Sequence, residues 1–336
     1  MIRKLNCGFI TLTYACNNRC QFCYAAPRNF DNEEMDLVLA RQLLELMKSL
    51  GVKDVGLTGG EPSLYPHLTD LVHFAKQFGL DVTVYTNGRL LSDISLVKRL
   101  KAAGTDFVNI SVQSIDAEEH DSQCRVEGAF QETKQGIENC FKEKLKVNLE
   151  TVLTHTNFSV YKDLMGAFSK TNRFVFYREI PPITDLKANY LSNEDTRKIV
   201  RQIFSYAKGR KADPYFFARM PYCWFEKDKL DKRIQHRIVS HCHILAGNNL
   251  IADIDGSVLP CAQWVLLPSM KLAKNGKVVS KKQFLKEWNK GKPAKARETL
   301  TKYPAKECVE CKDWGTKCTG GCPLTKFELP PWKASR

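Results

Sequence analysis

The chain has 336 residues, of which 43% are hydrophobic and 26% are charged, so it has the composition of a globular protein and is neither disordered nor collagen-like. No run of about 18 or more apolar residues occurs, and polar residues interrupt the N-terminal segment, so we expect neither a membrane span nor a secretion signal and place the protein in the cytoplasm. Two features are unusual: the chain contains 13 cysteines and carries a formal net charge of +14.

Strands and helices are predicted to alternate over residues 1–208. The strands are expected at residues 9–13, 55–58, 82–86, 107–112, 147–153 and 174–177. The helices are expected at residues 35–50, 96–103, 128–144, 158–169 and 192–208. Alternating units require crossover connections and therefore an α/β fold with a parallel sheet, either doubly wound or forming part of a barrel. Because six units are two short of a full barrel, we favour an open, TIM-like (β/α)6 barrel.

The sequence changes character after residue 208 and becomes rich in lysine, aromatic residues and cysteine. We predict a bridging region at residues 209–241, a small Cys-rich domain at residues 242–328 and a tail at residues 329–336. Within the Cys-rich domain, Asp255-Gly256 is predicted to form the turn of a β-hairpin, because apolar residues alternate on both sides of it.

The cysteines are too sparse, and odd in number, for a disulfide scaffold. Cys16, Cys20 and Cys23 lie within eight residues directly after the first strand, at the end of a barrel that carries the chemistry. Three thiolates leave a tetrahedral zinc site one ligand short. They can hold a 4Fe-4S cluster that keeps one iron open.

The C-x3-C-x2-C spacing, with Phe22 before the third cysteine, resembles the signature loop of the radical S-adenosylmethionine (SAM) superfamily. After the second strand, Thr58-Gly59-Gly60-Glu61-Pro62 resembles the GGE motif of that family, which implies that Gly59, Gly60 and Glu61 hold the SAM amino group. The resemblance implies further SAM contacts at Tyr24, Asn87, Ser111, Gln113 and Arg178. Each of the polar residues at a strand end could instead cap that strand without any other role.

The resemblance also implies a mechanism. The open iron would chelate SAM, and an electron from an external donor, such as flavodoxin or ferredoxin, would cleave SAM to a 5′-deoxyadenosyl radical. That radical would remove a hydrogen from an unactivated carbon. The work of the protein is then to position that carbon and to exclude water and oxygen.

Six cysteines near the C-terminus resemble the SPASM or twitch extension of radical SAM enzymes. The resemblance implies a proximal auxiliary 4Fe-4S cluster on Cys242, Cys261 and Cys322, and a distal one on Cys308, Cys311 and Cys318. Each cluster lacks one cysteine ligand, so a non-cysteine group, a substrate thiolate or an open iron fills the gap, or only one cluster forms. A zinc ribbon built from Cys308, Cys311, Cys318 and Cys322 is the alternative.

Cys223, in the bridging region, has three interpretations: a buried structural thiol, a missing auxiliary ligand, or a catalytic hydrogen donor to a substrate radical. His241 and His243 flank Cys242 and could be ligands, but we favour ordinary polar residues. Core or incidental thiols are expected at Cys7, Cys124 and Cys140.

The positive charge is concentrated in two segments. Residues 197–237 hold 12 basic and 4 acidic side chains, and residues 270–306 hold 12 and 2. Such asymmetry indicates an acidic partner or a solvated face. The resemblance implies a precursor peptide as partner, and an acidic leader would suit the basic surface. Because only 15 residues precede Cys16, we expect leader recognition by a separate protein or by the basic region.

The favoured hypothesis is a radical SAM maturase that forms a carbon–carbon or thioether cross-link in a ribosomally made peptide. Alternatives are a peptide epimerase that converts L to D residues with Cys223 as hydrogen donor, a radical SAM enzyme that modifies RNA, and a non-catalytic zinc- or cluster-binding protein. We do not expect nucleic acid to bind, because the basic segments lack regularly interleaved stacking aromatics, although the aromatic residues at 215–217 and 224–225 keep that alternative open.

Overall fold

The computed structural model describes residues 5–28, 30–178, 191–217, 220–221, 223–226, 236–239, 242–264, 269–274, 276–301, 308, 310–314 and 318–322. None of the helices in these ranges is both long enough and apolar enough to cross a membrane.

A ten-stranded sheet organises the described chain. Its strands are β1 (Cys7–Thr11), β2 (Asp54–Thr58), β3 (Asp81–Thr86), β4 (Phe107–Ser111), β5 (Val147–Leu153), β6 (Arg173–Arg178), β7 (Pro214–Phe217), β8 (Asn249–Ala252), β9 (Ser257–Leu259) and β10 (Met270–Lys271). Their order is β10-β9-β8-β1-β2-β3-β4-β5-β6-β7, and all pairs from β8 to β7 are parallel. Because β10 and β7 form the two edges, the parallel sheet is an open barrel, as predicted.

Helices cover this sheet. They are α1 (Leu37–Ser49), α2 (Leu68–Gln77), α3 (Ile94–Ala103), α4 (Ala117–Cys124), α5 (Ala129–Lys142), α6 (Tyr161–Ala167), α7 (Asn193–Ala207), α8 (Cys223–Glu226), α9 (His243–Ala246), α10 (Lys281–Lys290) and α11 (Lys292–Thr301). α1 shows how they form: the Asp36 side chain accepts a hydrogen bond from Leu39 N at its start, and the helix buries Leu43, Leu44 and Met47 against the sheet.

The six predicted strands and the five predicted helices of the first 208 residues are all present, and three elements were missed. These are α2, α4 and β7. β7 lies beyond residue 208, yet it pairs in parallel with β6. The hydrogen bonding of the sheet therefore continues past the predicted domain boundary, which stays a prediction.

The predicted hairpin is confirmed as β8 and β9, joined by a turn in which Gly256 has a φ of 72°. It does not stand apart from the barrel, because β8 pairs in parallel with β1 and places Ile251 beside Phe9. The following segment, where we expected little periodicity, contains the two-stranded sheet β11 (Ala273–Lys274) and β12 (Lys277–Val278) as well as α10 and α11.

Candidate active site

The cluster loop, defined as residues 13–24, follows β1 at the carboxyl end of the sheet. It carries three of the predicted ligands, Cys16, Cys20 and Cys23. Gly60 N donates a hydrogen bond of 2.8 Å to Thr13 O, and Glu61 N donates one of 2.8 Å to Ala15 O. On its other side, the loop pairs with the end of α4 through two backbone bonds of 3.0 Å. The chain itself therefore holds the loop from two sides.

Gly59 and Gly60 permit this contact because they have no side chain. A Cβ at Gly59 would lie 2.2 Å from Thr13 O, and a Cβ at Gly60 would lie 2.4 Å from Tyr14 O. Both distances are far below van der Waals contact, so any other residue would push the cluster loop away. The close approach expected at these glycines is thus made to the chain's own backbone, and their contact with SAM stays a prediction.

The thiols of the cluster loop have the surroundings of iron–sulfur ligands. The pKa of Cys16 and of Cys23 is raised to about 12, mainly by burial and in part by the neighbouring thiols. Asn18 N donates to Cys16 Sγ at 3.4 Å, and two backbone amides donate to Cys23. Within the described ranges, no three His, Cys, Asp or Glu side chains are placed to hold one metal ion. A 4Fe-4S cluster fits this donor set, because its thiolates bind different irons and N–H donors stabilise them.

Cys20 contacts a thiol that the sequence pattern did not reveal as a neighbour. Its side chain is hydrogen-bonded to Cys124, at the end of α4, and this contact together with burial raises the pKa of Cys20. Cys124 and Cys140 are buried, as expected for core thiols, while Cys7 is half-buried in β1.

Glu61 is completely buried and joins the ends of β2 and β3. Its carboxylate accepts hydrogen bonds from Ser63 Oγ at 2.5 Å, Thr86 Oγ1 at 2.7 Å and Asn87 N at 2.7 Å. Burial raises its pKa, and these hydrogen bonds lower it. Since the chain's own donors use both oxygens, we expect the backbone of the GGE motif to meet the SAM amino group.

Asn87 reaches the cluster loop from the end of β3. Its Nδ2 donates to Asn17 Oδ1 at 2.6 Å and lies 4.0 Å from Cys16 Sγ. Arg89, which sequence reasoning missed, donates to Asn18 Oδ1 at 3.0 Å and to the backbone oxygen of Asn17. The signal for Arg89 was its position in the same Thr-Asn-Gly-Arg run as Asn87.

Ser111 and Gln113 lie together at the end of β4. Gln113 Nε2 donates to Ser111 Oγ at 2.8 Å, and Gln113 Oε1 accepts from Val152 N of β5 at 3.1 Å. Gln113 N also donates to Nδ1 of His120, whose pKa burial lowers to about 4. Gln113 is only 1% exposed and both ends of its amide are bonded, whereas Ser111 is half-buried, and the contact of either residue with SAM stays a prediction.

Tyr24 lies between the cluster loop and the interior of the barrel. Burial raises the pKa of its phenol to about 12, and its hydroxyl is hydrogen-bonded to Thr58 at the end of β2. The charges of Cys23, Cys16 and Glu150 also act on this phenol, so all three lie near it. Its predicted contact with SAM is compatible with this position and stays a prediction.

Arg178 ends β6 and faces the auxiliary cysteines. Its Nε and Nη2 donate to Leu191 O at 3.2 Å and 3.0 Å. Burial lowers the pKa of the guanidinium, and nearby Cys322 raises it. The structure thus places Arg178 between the barrel and Cys322, and its pairing with the SAM carboxylate stays a prediction.

The proximal group, defined as Cys242, Cys261 and Cys322, comes together from three segments. The pKa of Cys242 is raised to about 12, mainly by burial and in part by the charges of Cys322 and Cys261. Cys242 N donates to Thr319 Oγ1 at 2.6 Å. Leu300 of α11 belongs to a small apolar cluster that packs against Cys242 and Cys261. These are the three cysteines that the resemblance assigns to one cluster.

The distal group is defined as Cys308, Cys311 and Cys318. Gly320 N donates to Cys318 Sγ at 3.3 Å, and a Cβ at Gly320 would lie 3.5 Å from Cys308 Sγ, so two of the thiols converge on this glycine.

Cys223 lies beside the distal group. Burial raises the pKa of its thiol, and the charges of Cys318, Cys308 and Cys311 add to that effect. Cys223 is exposed, which contradicts the interpretation as a buried structural thiol. Of the two histidines beside Cys242, His243 begins α9, and His241 lies outside the described residues.

Residues 10–164 match the family model of the radical SAM superfamily. The chain is 30% identical over 172 residues to the Fe-coproporphyrin III synthase of Methanosarcina barkeri, a match that covers 49% of this chain and 42% of that protein. It is 32% identical over 200 residues to a probable GTP 3′,8-cyclase of Saccharolobus islandicus, covering 58% of this chain and 63% of the relative. The chain therefore spans less than two thirds of either relative.

Among solved structures, SuiB of Streptococcus suis bound to S-adenosylmethionine superposes with a TM-score of 0.73 at 18% identity, over 98% of this chain and 76% of SuiB. SuiB bound to its precursor peptide SuiA superposes with a TM-score of 0.72. This likeness shows a shared fold, a TIM-like partial barrel with a C-terminal extension.

The chain thus carries a radical SAM domain at residues 10–164. The cofactors of such a domain are a 4Fe-4S cluster and SAM, and the thiols and backbone donors of the cluster loop fit the first of them.

Proposed function

We propose that the chain is a radical SAM enzyme that oxidatively modifies a ribosomally made peptide by forming a carbon–carbon or thioether cross-link. The observation that carries this proposal is the position of the proximal group, because Cys322 acts on Arg178 at the carboxyl end of the barrel. An auxiliary cluster there would be well placed to accept the electron that an oxidative cross-link releases. An external electron donor and a separate leader-recognition protein belong to the same proposal.

When bound, the cluster of the cluster loop supplies the electron that cleaves SAM into the hydrogen-abstracting radical. The chain itself positions and shields. Hydrogen bonds from Asn87 and Arg89 fix the cluster loop, and Glu61 ties together the ends of two strands. Tyr24, the last residue of that loop, is buried and hydrogen-bonded to Thr58 at the end of β2. These residues hold the reacting groups in place rather than transfer protons.

The peptide substrate is supported by a basic surface beside the auxiliary cysteines. In α10, Phe284 and Trp288 are buried, whereas four lysines are exposed: Lys281, Lys282, Lys286 and Lys290. Lys281 Nζ also donates to Ser49 O at 2.6 Å, so α10 is docked on α1. An acidic peptide segment fits this surface electrostatically. SuiB binds a precursor peptide, while the names of the curated relatives indicate other substrates, so the barrel alone does not determine the substrate.

For Cys223 we favour the role of a fourth thiol in the distal group over that of a hydrogen donor. The thiols that act on it are those of Cys308, Cys311 and Cys318, and not those of the cluster loop. With Cys223, the distal group has four thiols, the number that an auxiliary 4Fe-4S cluster binds.

The test is anaerobic turnover of the reconstituted protein with SAM, a reductant and the small peptides encoded beside its gene. We expect 5′-deoxyadenosine together with a peptide that has lost two hydrogens. If the peptide instead takes up deuterium from the solvent and its mass is otherwise unchanged, the reaction is epimerisation and not cross-linking. Consumption of GTP with every peptide unchanged would contradict the proposal.

A further inference from the structure

A carboxylate lies inside the barrel that neither the cluster loop nor the SAM contacts use. Glu150 belongs to β5 and pairs in register with Ser111 of β4. Asn109 Nδ2 donates to Glu150 Oε1 at 2.7 Å, and Tyr177 OH donates to the same oxygen at 3.0 Å. Because the two donors come from the strands on either side, the carboxyl group is held across three neighbouring strands.

The second oxygen, Glu150 Oε2, is left for another partner. Within the part of the chain that the structure describes, this oxygen accepts no hydrogen bond. A fully buried oxygen without a hydrogen bond would be an unsatisfied buried atom, and Oε2 is not one, so solvent reaches it. The groups that act on the carboxyl are Asn109 and Tyr177, and no lysine, arginine or histidine of the described residues is among them. Glu150 is therefore an acceptor with one oxygen fixed and the other open.

Aromatic side chains lie on the same face of the sheet as Glu150. The rings of Phe9 and Tyr85 lie 5.7 Å apart, and Gly56 makes room for them, since a Cβ there would lie 2.6 Å from the Phe9 ring. The charge of Glu150 acts on Tyr85 and on Tyr24. We call the part of the barrel interior that these residues line the chamber, and Tyr24 is its member from the cluster loop.

Inside the chamber, the ionised form of Glu150 is stable only when a partner compensates its charge. Burial raises the pKa of Glu150 to about 7, although the hydrogen bonds from Asn109 and Tyr177 act in the opposite direction. Ionising an enclosed carboxyl costs free energy unless a cation pairs with it. A carboxyl with only a structural role would not require an accessible Oε2. A carboxyl that binds a ligand requires that this oxygen is free to accept a hydrogen bond from it.

We propose that Glu150 binds a cationic side chain of the substrate, the ammonium of a lysine or the guanidinium of an arginine, on Oε2. The aromatic walls of the chamber suit both the aliphatic stem and the cation of such a side chain. Glu150 is then a residue that determines specificity, and it selects peptides with Lys or Arg at the position that enters the barrel. This inference rests on the proposed peptide chemistry.

The test measures binding of small probes rather than turnover, so its failure is distinguishable from a failure of the peptide chemistry. n-Butylammonium and 1-butanol mimic a lysine side chain with and without its charge. Their affinities for the reconstituted full-length protein with SAM are measured by NMR titration. At pH 8 we expect n-butylammonium to bind at least about tenfold more tightly than 1-butanol. At pH 6 Glu150 is mostly protonated, so the ammonium should lose about tenfold in affinity while the alcohol is unaffected.

Glu150→Gln isolates the charge, because the amide oxygen can still accept from Asn109 and Tyr177. We expect this variant to bind both probes equally and the control Glu138→Gln, on the exposed face of α5, to behave as the wild type. Equal binding of the two probes by the wild type, or an ammonium preference that survives in Glu150→Gln, overturns the proposal. If Glu150→Gln does not fold, the preference of the wild type for n-butylammonium over the alcohol at pH 8 decides alone.

Discussion

The cluster loop and the auxiliary cysteines gather thiols in opposite ways. The cluster loop takes three cysteines from eight consecutive residues, and backbone bonds to the GGE motif and to α4 hold it in shape. The proximal group draws on Cys242, Cys261 and Cys322, which come from three distant segments. The difference teaches that the geometry of the cluster loop is encoded locally, whereas the auxiliary groups depend on tertiary packing. We therefore expect the auxiliary groups to need their metal for order, and the cluster loop to keep its shape without one.

Gly60→Ala should have the largest effect, because it disturbs the locally encoded loop. Its Cβ would meet Tyr14 O at 2.4 Å and Ala15 O at 2.5 Å, both of which are backbone atoms that cannot move aside cheaply. A displacement of the cluster loop by about 1 Å should lower reductive SAM cleavage about 100-fold, measured as 5′-deoxyadenosine. Gly166→Ala in α6, whose Cβ would meet nothing within 4 Å, is the control and should leave cleavage unchanged. Normal cleavage by Gly60→Ala would show that the loop tolerates displacement.

Cys223→Ala should affect the distal group and leave the cluster loop intact. If Cys223 completes the distal group, the variant should lose up to about four irons while retaining SAM cleavage in the absence of peptide. Iron content and the EPR spectrum of the reduced protein measure this loss. The matched control is Cys7→Ala, which removes a half-buried thiol from β1. Unchanged iron in Cys223→Ala, combined with lost peptide epimerisation, would instead support the hydrogen-donor role.

The basic surface of α10 is expected to bind the acidic part of the peptide. Changing Lys282, Lys286 and Lys290 to Gln should weaken binding of an acidic peptide about tenfold at low salt, and the difference should shrink as salt increases. Fluorescence anisotropy of a labelled peptide provides the measurement. The same number of exposed lysines changed on α3 and α5, at Lys98, Lys134 and Lys142, serves as control. An equal loss in both variants would mean that net charge, and not this surface, attracts the peptide.

The smallest expected effect is on stability and concerns Glu150. Its pKa is raised from 4.5 to about 7 in the folded chain, so its contribution to stability is present at low pH and is lost as the pH rises through about 7. Glu150→Gln should therefore be more stable than the wild type at pH 8, by about 1–3 kcal/mol, and nearly equal to it at pH 5. Thermal unfolding at the two pH values tests this. The same difference in stability between the two proteins at both pH values would mean that folding does not raise the pKa of Glu150.

Local patterns were sufficient to predict β1 to β6 and the cluster loop, because their residues are neighbours in the chain. β7 was missed because it is four residues long and begins with Pro214, which is atypical of a strand interior. α4 was missed because its sequence, from Ala117 to Cys124, has almost no apolar periodicity.

The contacts that one sequence could not supply are long-range. Cys20 meets Cys124 only because the cluster loop packs against α4. Glu150 would be expected on the solvent side of a half-buried strand, yet in a barrel the second face of a strand points inward. The proximity of Cys223 to the distal group likewise arises from packing between distant segments.

The presence of separate iron–sulfur clusters on the cluster loop and on the auxiliary groups is tested most directly by iron and sulfide content. This content is measured for the anaerobically reconstituted protein and for the variant in which Cys16, Cys20 and Cys23 are all changed to Ala. We expect the variant to lose about four irons and all formation of 5′-deoxyadenosine, while the iron of the auxiliary groups remains. A protein that contains zinc in place of iron, or a variant that still cleaves SAM, would contradict this expectation.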